Sequence, residues 1–109
     1  QRLDWKTALE FAKGVYLITD RSSGKRYVGS AYGTSGIWTR WQCYIFTGHG
    51  FNDELTKLIS VVGIEYARQN FQFALLEHRT MKTDDSTIIS REQYWKSVLM
   101  SRQFGFNKN

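Results

Sequence analysis

Two short triplets on either side of a turn constrain this chain more than any other feature. Gly14-Val15-Tyr16 is followed, with ten residues between its tyrosine and the next, by Tyr27-Val28-Gly29 in mirrored order. Between them, Asp20 to Lys25 (DRSSGK) is dense in turn formers, with Gly24 open to positive φ. Val15 to Ile18 is β-branched and aromatic, and Arg26 to Ser30 (RYVGS) reads as the return strand. The segment is therefore an antiparallel hairpin. If the register allows, Tyr16 and Tyr27 share one face. Two phenols there make a cross-strand aromatic pair at the least. Gly14 and Gly29 hint at more, because glycine inside a strand often marks a bulge or a close approach to the backbone.

The rest of the chain supplies helices around this hairpin. Residues 3–12 (LDWKTALEFA) have the spacing of a short helix, with Asp4 as cap and Trp5, Ala8, Leu9 and Ala12 near one face. After the loop AYGTSG, apolar residues at 37, 38, 41, 44 and 45 recur at helical spacing. Asn52 is a good N-cap for a helix striped by Leu55, Leu58, Ile59 and Val62, which Gly63 ends. IEYARQN adds one more short turn. Phe71 to Glu77 reads as a third strand, HRTMKTDD as a loop, Thr87 to Met100 as a last helix, and SRQFGFNKN as an extended tail. The expectation is an α+β fold: a small, mostly antiparallel three-stranded sheet flanked by helices.

The length of 109 residues suits one domain, and the first residue, Gln1, suggests a piece of a longer protein. No run of apolar residues approaches membrane-span length, and no signal sequence is visible. Cys43 is the one cysteine, which excludes an internal disulfide and a cysteine-based metal site and suits a reducing cytosol. It sits beside aromatic residues and reads as a packing residue. The net charge of +5 is scattered over the chain. On charge alone it means a solvated, mildly basic surface, although it favours an anionic partner such as nucleic acid.

Several polar residues invite a chemical reading. Ile88, Trp95 and Leu99 form a stripe on the last helix, and Glu92 fills its missing position. A carboxylate on an apolar stripe needs a cation, a donor or a metal, or else must reach water at the edge. Arg40 and Tyr44 are four apart and hence neighbours on their helix. Arg40 is suited to a phosphate, or lies on the surface over Trp38 and Trp41. His49, between two glycines ahead of a helix, is either inert or a proton-transfer group free to reach a substrate. His78 reads as structural.

These residues, in this order, resemble the GIY-YIG nuclease superfamily. GVY at 14–16 and YVG at 27–29 match its two name motifs, and Arg40 falls at its helical arginine. Tyr44 sits where members carry His or Tyr, and His49 matches a histidine ahead of the second helix. REQYWKSVLMSRQFGFN matches the glutamate helix and closing motif, giving Glu92 and Asn107. The match runs from Lys13 to Asn107. KRYVGSA looks like the phage-intron homing endonuclease branch, and the longer loop before Arg40 like restriction-enzyme members. Where some members carry Lys directly after the second triplet, this chain has Ser30.

The resemblance implies hydrolysis of a DNA phosphodiester bond with a single divalent ion, Mg²⁺ or Mn²⁺. Glu92 would hold the metal and Arg40 would stabilise the phosphate. Tyr16 or Tyr27 would activate water, and Tyr44 or His49 would receive the proton. Asn107 would position a neighbouring group or the substrate. Gly29, Ser30 and Arg40 would contact the DNA backbone, with the two triplet glycines keeping the site shallow enough for it. It also implies a cytoplasmic protein of bacterial or phage origin, acting in restriction, defence or a mobile element, with a separate recognition domain in the parent chain. The rival readings are a catalytically inert DNA-binding form of the same domain and a protein-interaction module.

Overall fold

Strand β1 (Ala12–Asp20) forms the middle of a three-stranded sheet of order β2-β1-β3, and both neighbours run antiparallel to it. β2 spans Arg26–Ala31 and β3 Phe71–Thr80. The computed structural model describes residues 8–34, 36–50 and 52–108. Asp20 organises the hairpin turn: its carboxylate accepts from the Ser22 N–H at 3.0 Å and the Ser23 hydroxyl at 2.9 Å. Its carbonyl accepts from the Gly24 N–H at 2.7 Å.

The β1–β2 register pairs Tyr16 with Gly29 and Ile18 with Tyr27, so both tyrosines do lie on one face. Phe73 and Leu75 of β3 join that face. Helix α1 (Ile37–Thr47) and helix α2 (Asp53–Val62) cover it, and Tyr16, Ile18, Tyr44, Leu55 and Phe106 form its buried core. Helix α2 begins as expected, with the Asn52 side chain accepting from the Leu55 N–H at 3.0 Å. Helix α3 (Ile64–Asn70) leads into β3.

The other face carries helix α4 (Asp85–Leu99), docked on β1 and β2. Glu77 of β3 faces this helix. Its carboxylate accepts from the Arg91 Nε at 2.6 Å and the Trp95 indole at 2.7 Å. A register shift between Val15 and Tyr16 leaves Leu76 as the extra residue of a β-bulge on β3, which sets Glu77 opposite Val15. β1 is thus covered on both faces, and seven of its nine residues are buried.

The chain after α4 turns through Met100, whose φ of 54° is left-handed, into a helical turn α5 (Ser101–Phe104). The tail then binds the outer edge of β2. The Phe106 N–H donates to the Arg26 carbonyl at 2.8 Å. The Asn107 amide makes a reciprocal pair with Val28, accepting from its N–H at 2.8 Å and donating to its carbonyl at 2.9 Å. An edge that would otherwise be open is thereby paired.

Several boundaries differ from the sequence expectation, β1 among them, which spans Ala12–Asp20 rather than Val15 to Ile18. The helix expected over 3–12 is seen as helical residues 8–10, because Ala12 already belongs to β1; Asp4 and Trp5 lie outside the described residues. β3 continues three residues past Glu77, because His78, Arg79 and Thr80 pair with Gly14, Lys13 and Ala12 at the start of β1. α4 starts at Asp85 rather than Thr87, where the Asp85 carboxylate accepts from the Gly33 N–H at 2.8 Å and from Lys13 at 2.9 Å. The tail contains α5 and is not wholly extended.

Gly29 shows why a strand glycine is required here. A Cβ at this position would lie 2.6 Å from the Tyr16 ring, which occupies the space a side chain would need. Gly29→Ala should therefore destabilise the fold by about 1–3 kcal/mol. Urea unfolding would measure this, and an unchanged midpoint would mean the tyrosine does not pack there.

Candidate active site

The site is built from the tyrosine face of the sheet outward. Tyr16 is wholly buried, and its hydroxyl bonds to that of Tyr44 at 3.0 Å. Tyr44, from the last turn of α1, is buried too. Its ring lies over Gly50, where φ is 53° and an added Cβ would come within 2.4 Å of the ring. One turn earlier, Arg40 brings its guanidinium to 5.6 Å from the Tyr44 ring centroid, a cation–π arrangement. Tyr27 approaches from β2, its ring 6.2 Å from that of Tyr44.

Burial dominates the ionisation of these phenols. It pushes Tyr16 from 10.0 up to about 12, with Tyr27 adding to the rise, while Arg40 and the Tyr44 hydrogen bond oppose it. Burial also raises Tyr27, and it raises Tyr44, where Tyr16 and Tyr27 reinforce it. Burial works against the charge of Arg40, but the phenol oxygens of Tyr16 and Tyr44 outweigh it and hold the guanidinium protonated. The wall is thus three neutral phenols and one fixed cation.

Glu92 reaches this wall from the other side of the sheet. It projects from α4, and its carboxylate accepts a hydrogen bond from the Ser30 hydroxyl of β2 through Oε1. Its Oε2 pairs with Lys96 Nζ at 2.8 Å, one turn further along α4. Ser30 follows Gly29 and therefore points to the opposite face from Tyr27. The carboxylate thus meets the phenols around the β2 edge. A polar cleft lies between, in two lobes of 380 and 340 Å³, and Tyr27, Arg40 and Glu92 line both. Lys96, Asn52 and Asn107 are among the other residues of the larger lobe, with Asp53 and Lys108; Ser30 and Tyr32 complete the smaller.

The structure sorts the candidate residues clearly. Tyr27, Arg40 and Glu92 meet in the cleft, with Ser30 beside them. Tyr16 and Tyr44 stand behind, bonded to each other. Asn107 touches the cleft, but both ends of its amide are committed to the Val28 backbone. His49 is half-buried and does not line either lobe; its carbonyl accepts from the Asn52 N–H at 2.9 Å. Gly29 is buried under Tyr16, and the space a side chain would need there is filled by the Tyr16 ring. Arg40 sits against Tyr44 and faces the cleft.

Sequence reasoning passed over Lys96, although its position four residues after Glu92 was a legible signal. It also passed over Asn52 as a cleft residue, having assigned it to capping alone. Among the described residues, no three His, Cys, Asp or Glu side chains gather into a metal-binding cluster. No helix among them is long and apolar enough to cross a membrane.

A sheet of order β2-β1-β3 with hairpin tyrosines, a helical arginine and a glutamate helix on its far side defines the GIY-YIG nuclease fold, and the resemblance read from the sequence is borne out by solved structures. A mutant of the catalytic domain of intron endonuclease I-TevI superposes with a TM-score of 0.68 at 25% identity, covering 90% of this chain and 94% of that one. The catalytic domain of homing endonuclease I-TevI gives a TM-score of 0.63 at 27% identity, covering 87% of this chain and 96% of that one. No family model matches the sequence, and no curated protein matches it. The likeness to two endonuclease catalytic domains supports a nuclease function.

The buried phenols give the fold a defined alkaline limit. In the unfolded chain a tyrosine ionises near 10, whereas Tyr16 in the fold holds its proton up to about 12. Across that window the folded state binds more protons, so stability falls as pH rises and is unaffected below it. The thermal midpoint should stay level up to about pH 10 and then drop, with less of a drop in Tyr16→Phe. Phenolate absorbance from all six tyrosines near pH 10 in a still-folded protein would contradict the burial.

Proposed function

We propose that this chain is a metal-dependent endonuclease that hydrolyses phosphodiester bonds of DNA. The observation that carries the proposal is the convergence of Tyr27, Arg40 and Glu92 on one polar cleft, in a fold shared with endonuclease catalytic domains. The net charge of +5 suits a polyanionic substrate.

Each residue has a role its surroundings allow. The Arg40 guanidinium, fixed against Tyr44, donates to a phosphate oxygen and stabilises the charge that grows as water adds. Tyr27 is the phenol at the cleft; once its own proton has passed to solvent, the phenolate takes a proton from the attacking water and returns to the neutral phenol, whereas Tyr16, wholly buried, orients Tyr44. An ordinary phenol is ionised to only about one part in a thousand at neutral pH, and burial lowers that fraction for Tyr27. Positive charge at the site must therefore assist it. Glu92 is the carboxylate common to both lobes and fits a hydrated Mg²⁺ or Mn²⁺, ions held by one or two carboxylates together with substrate phosphate. When bound, such an ion supplies Lewis-acid charge at a phosphoryl oxygen. Asn107 holds the Tyr27–Val28–Gly29 backbone at the β2 edge. We further propose a setting in intron homing, restriction or defence, with target choice made by a separate recognition domain.

Plasmid nicking tests this directly. The protein should nick in Mg²⁺ or Mn²⁺ and stop in EDTA, and Glu92→Ala should abolish nicking. Arg40→Ala should slow it roughly 10²-fold. Salt-sensitive DNA binding without strand breakage would point instead to an inert binding module, and undiminished cutting by Glu92→Ala would remove the glutamate from the metal role.

A further inference from the structure

The larger lobe of the cleft carries an excess of positive charge. Arg40, Lys96 and Lys108 face it, against Glu92 and Asp53. Lys108 leans toward Asp53 at 3.6 Å. Lys96 is different in kind: it is only 5% exposed, it lies on the same helix face as Glu92, and its ammonium touches Glu92 Oε2 at 2.8 Å. A lysine is rarely held out of water without a partner. The Ser30 hydroxyl holds the other carboxylate oxygen. Both oxygens of the carboxylate are thus engaged by the protein itself.

A divalent cation approaching Glu92 meets an ammonium already in contact with its ligand. At this range repulsion between cations is strong in a partly buried site. Either the ammonium moves away or the ion binds weakly. An anion entering the lobe changes the balance, because a phosphate oxygen offers Lys96 an alternative to Glu92 and adds negative charge beside the carboxylate. Resting on the reading of the site as a metal-dependent nuclease, we propose that Lys96 is the resident counter-ion of Glu92. It withholds the carboxylate from a divalent ion until a DNA phosphate draws the ammonium off. Metal and DNA then enter together, and the free protein holds its metal poorly. Lys96 acts through Glu92 and is a positioning residue.

Calorimetric titration with Mn²⁺ alone, without DNA, tests the proposal. Lys96→Met should bind Mn²⁺ at least about tenfold more tightly than the unaltered protein. The gain should vanish when Glu92→Gln is added. Absence of tightening in Lys96→Met, whether as equal constants or as no binding in either protein, overturns the counter-ion role. A gain that survives Glu92→Gln also overturns it, and it places the metal elsewhere, so that the assignment of Glu92 as metal ligand fails separately. If Lys96→Met does not fold, nuclear magnetic resonance of the unaltered protein gives the same decision. A DNA duplex added without metal should shift the Lys96 Cε resonance as the ammonium changes partner. A resonance unmoved at saturation overturns the proposal.

Discussion

The hydroxyl–hydroxyl bond between Tyr16 and Tyr44, made out of reach of water, is the joint on which the rest of the molecule depends. It ties the central strand to the first helix at the point where the cleft opens. A buried hydroxyl without a partner costs about 1–3 kcal/mol, and Arg40 and Tyr27 join the pair in the same hydrogen-bonded cluster. The joint also dictates its neighbours. The Tyr16 ring requires Gly29 opposite it and the Tyr44 ring requires Gly50 beneath it. Arg40, one turn before Tyr44, inherits its position from the same helix and lies against the same ring. The tyrosines of the two triplets therefore divide the work: one builds the wall, and the other faces the cleft.

The second constraint is the edge of β2. Strand edges are usually blunted by charge, shortness or cover, and here the C-terminal tail covers this one through Phe106 and Asn107. Ser30 on one face of the strand and Tyr27 on the other both line the cleft. Glu92 comes from a helix on the far face and still reaches the phenol side, because only one strand separates the two.

Much of this was legible in the amino-acid order, and the exceptions have physical causes. The hairpin could be read because Asp20 to Gly24 is turn chemistry of short range, and its sides are rich in β-branched and aromatic residues. Asn52 could be read as a cap for the same local reason. Glu92 stood out because it interrupted an apolar stripe. The start of β1 and the end of β3 were not legible, since Ala12 and Thr80 owe their strand state to each other across nearly seventy residues. The bulge at Leu76 belongs to the same class. The triplet glycines were noticed as sites of close approach, and at Gly29 the approaching group is the Tyr16 ring. Asn107 could be matched to a motif, yet the tail it lies in carries no periodicity that would reveal its pairing with Val28. The i,i+4 spacing of Lys96 from Glu92 was legible, but its burial was not, since lysine at a polar helical position is ordinarily solvated.

The central claim is that Arg40 on α1 and Glu92 on α4, brought together around one strand, act on the same phosphate within one cleft. A double-mutant cycle on single-turnover DNA cleavage, with Arg40→Ala, Glu92→Gln and the pair, measures this most directly. Groups that act as one unit lose their effect together, so the double variant should be little slower than the slower single variant. Losses that multiply in full would show that the two side chains act independently and would contradict a shared site.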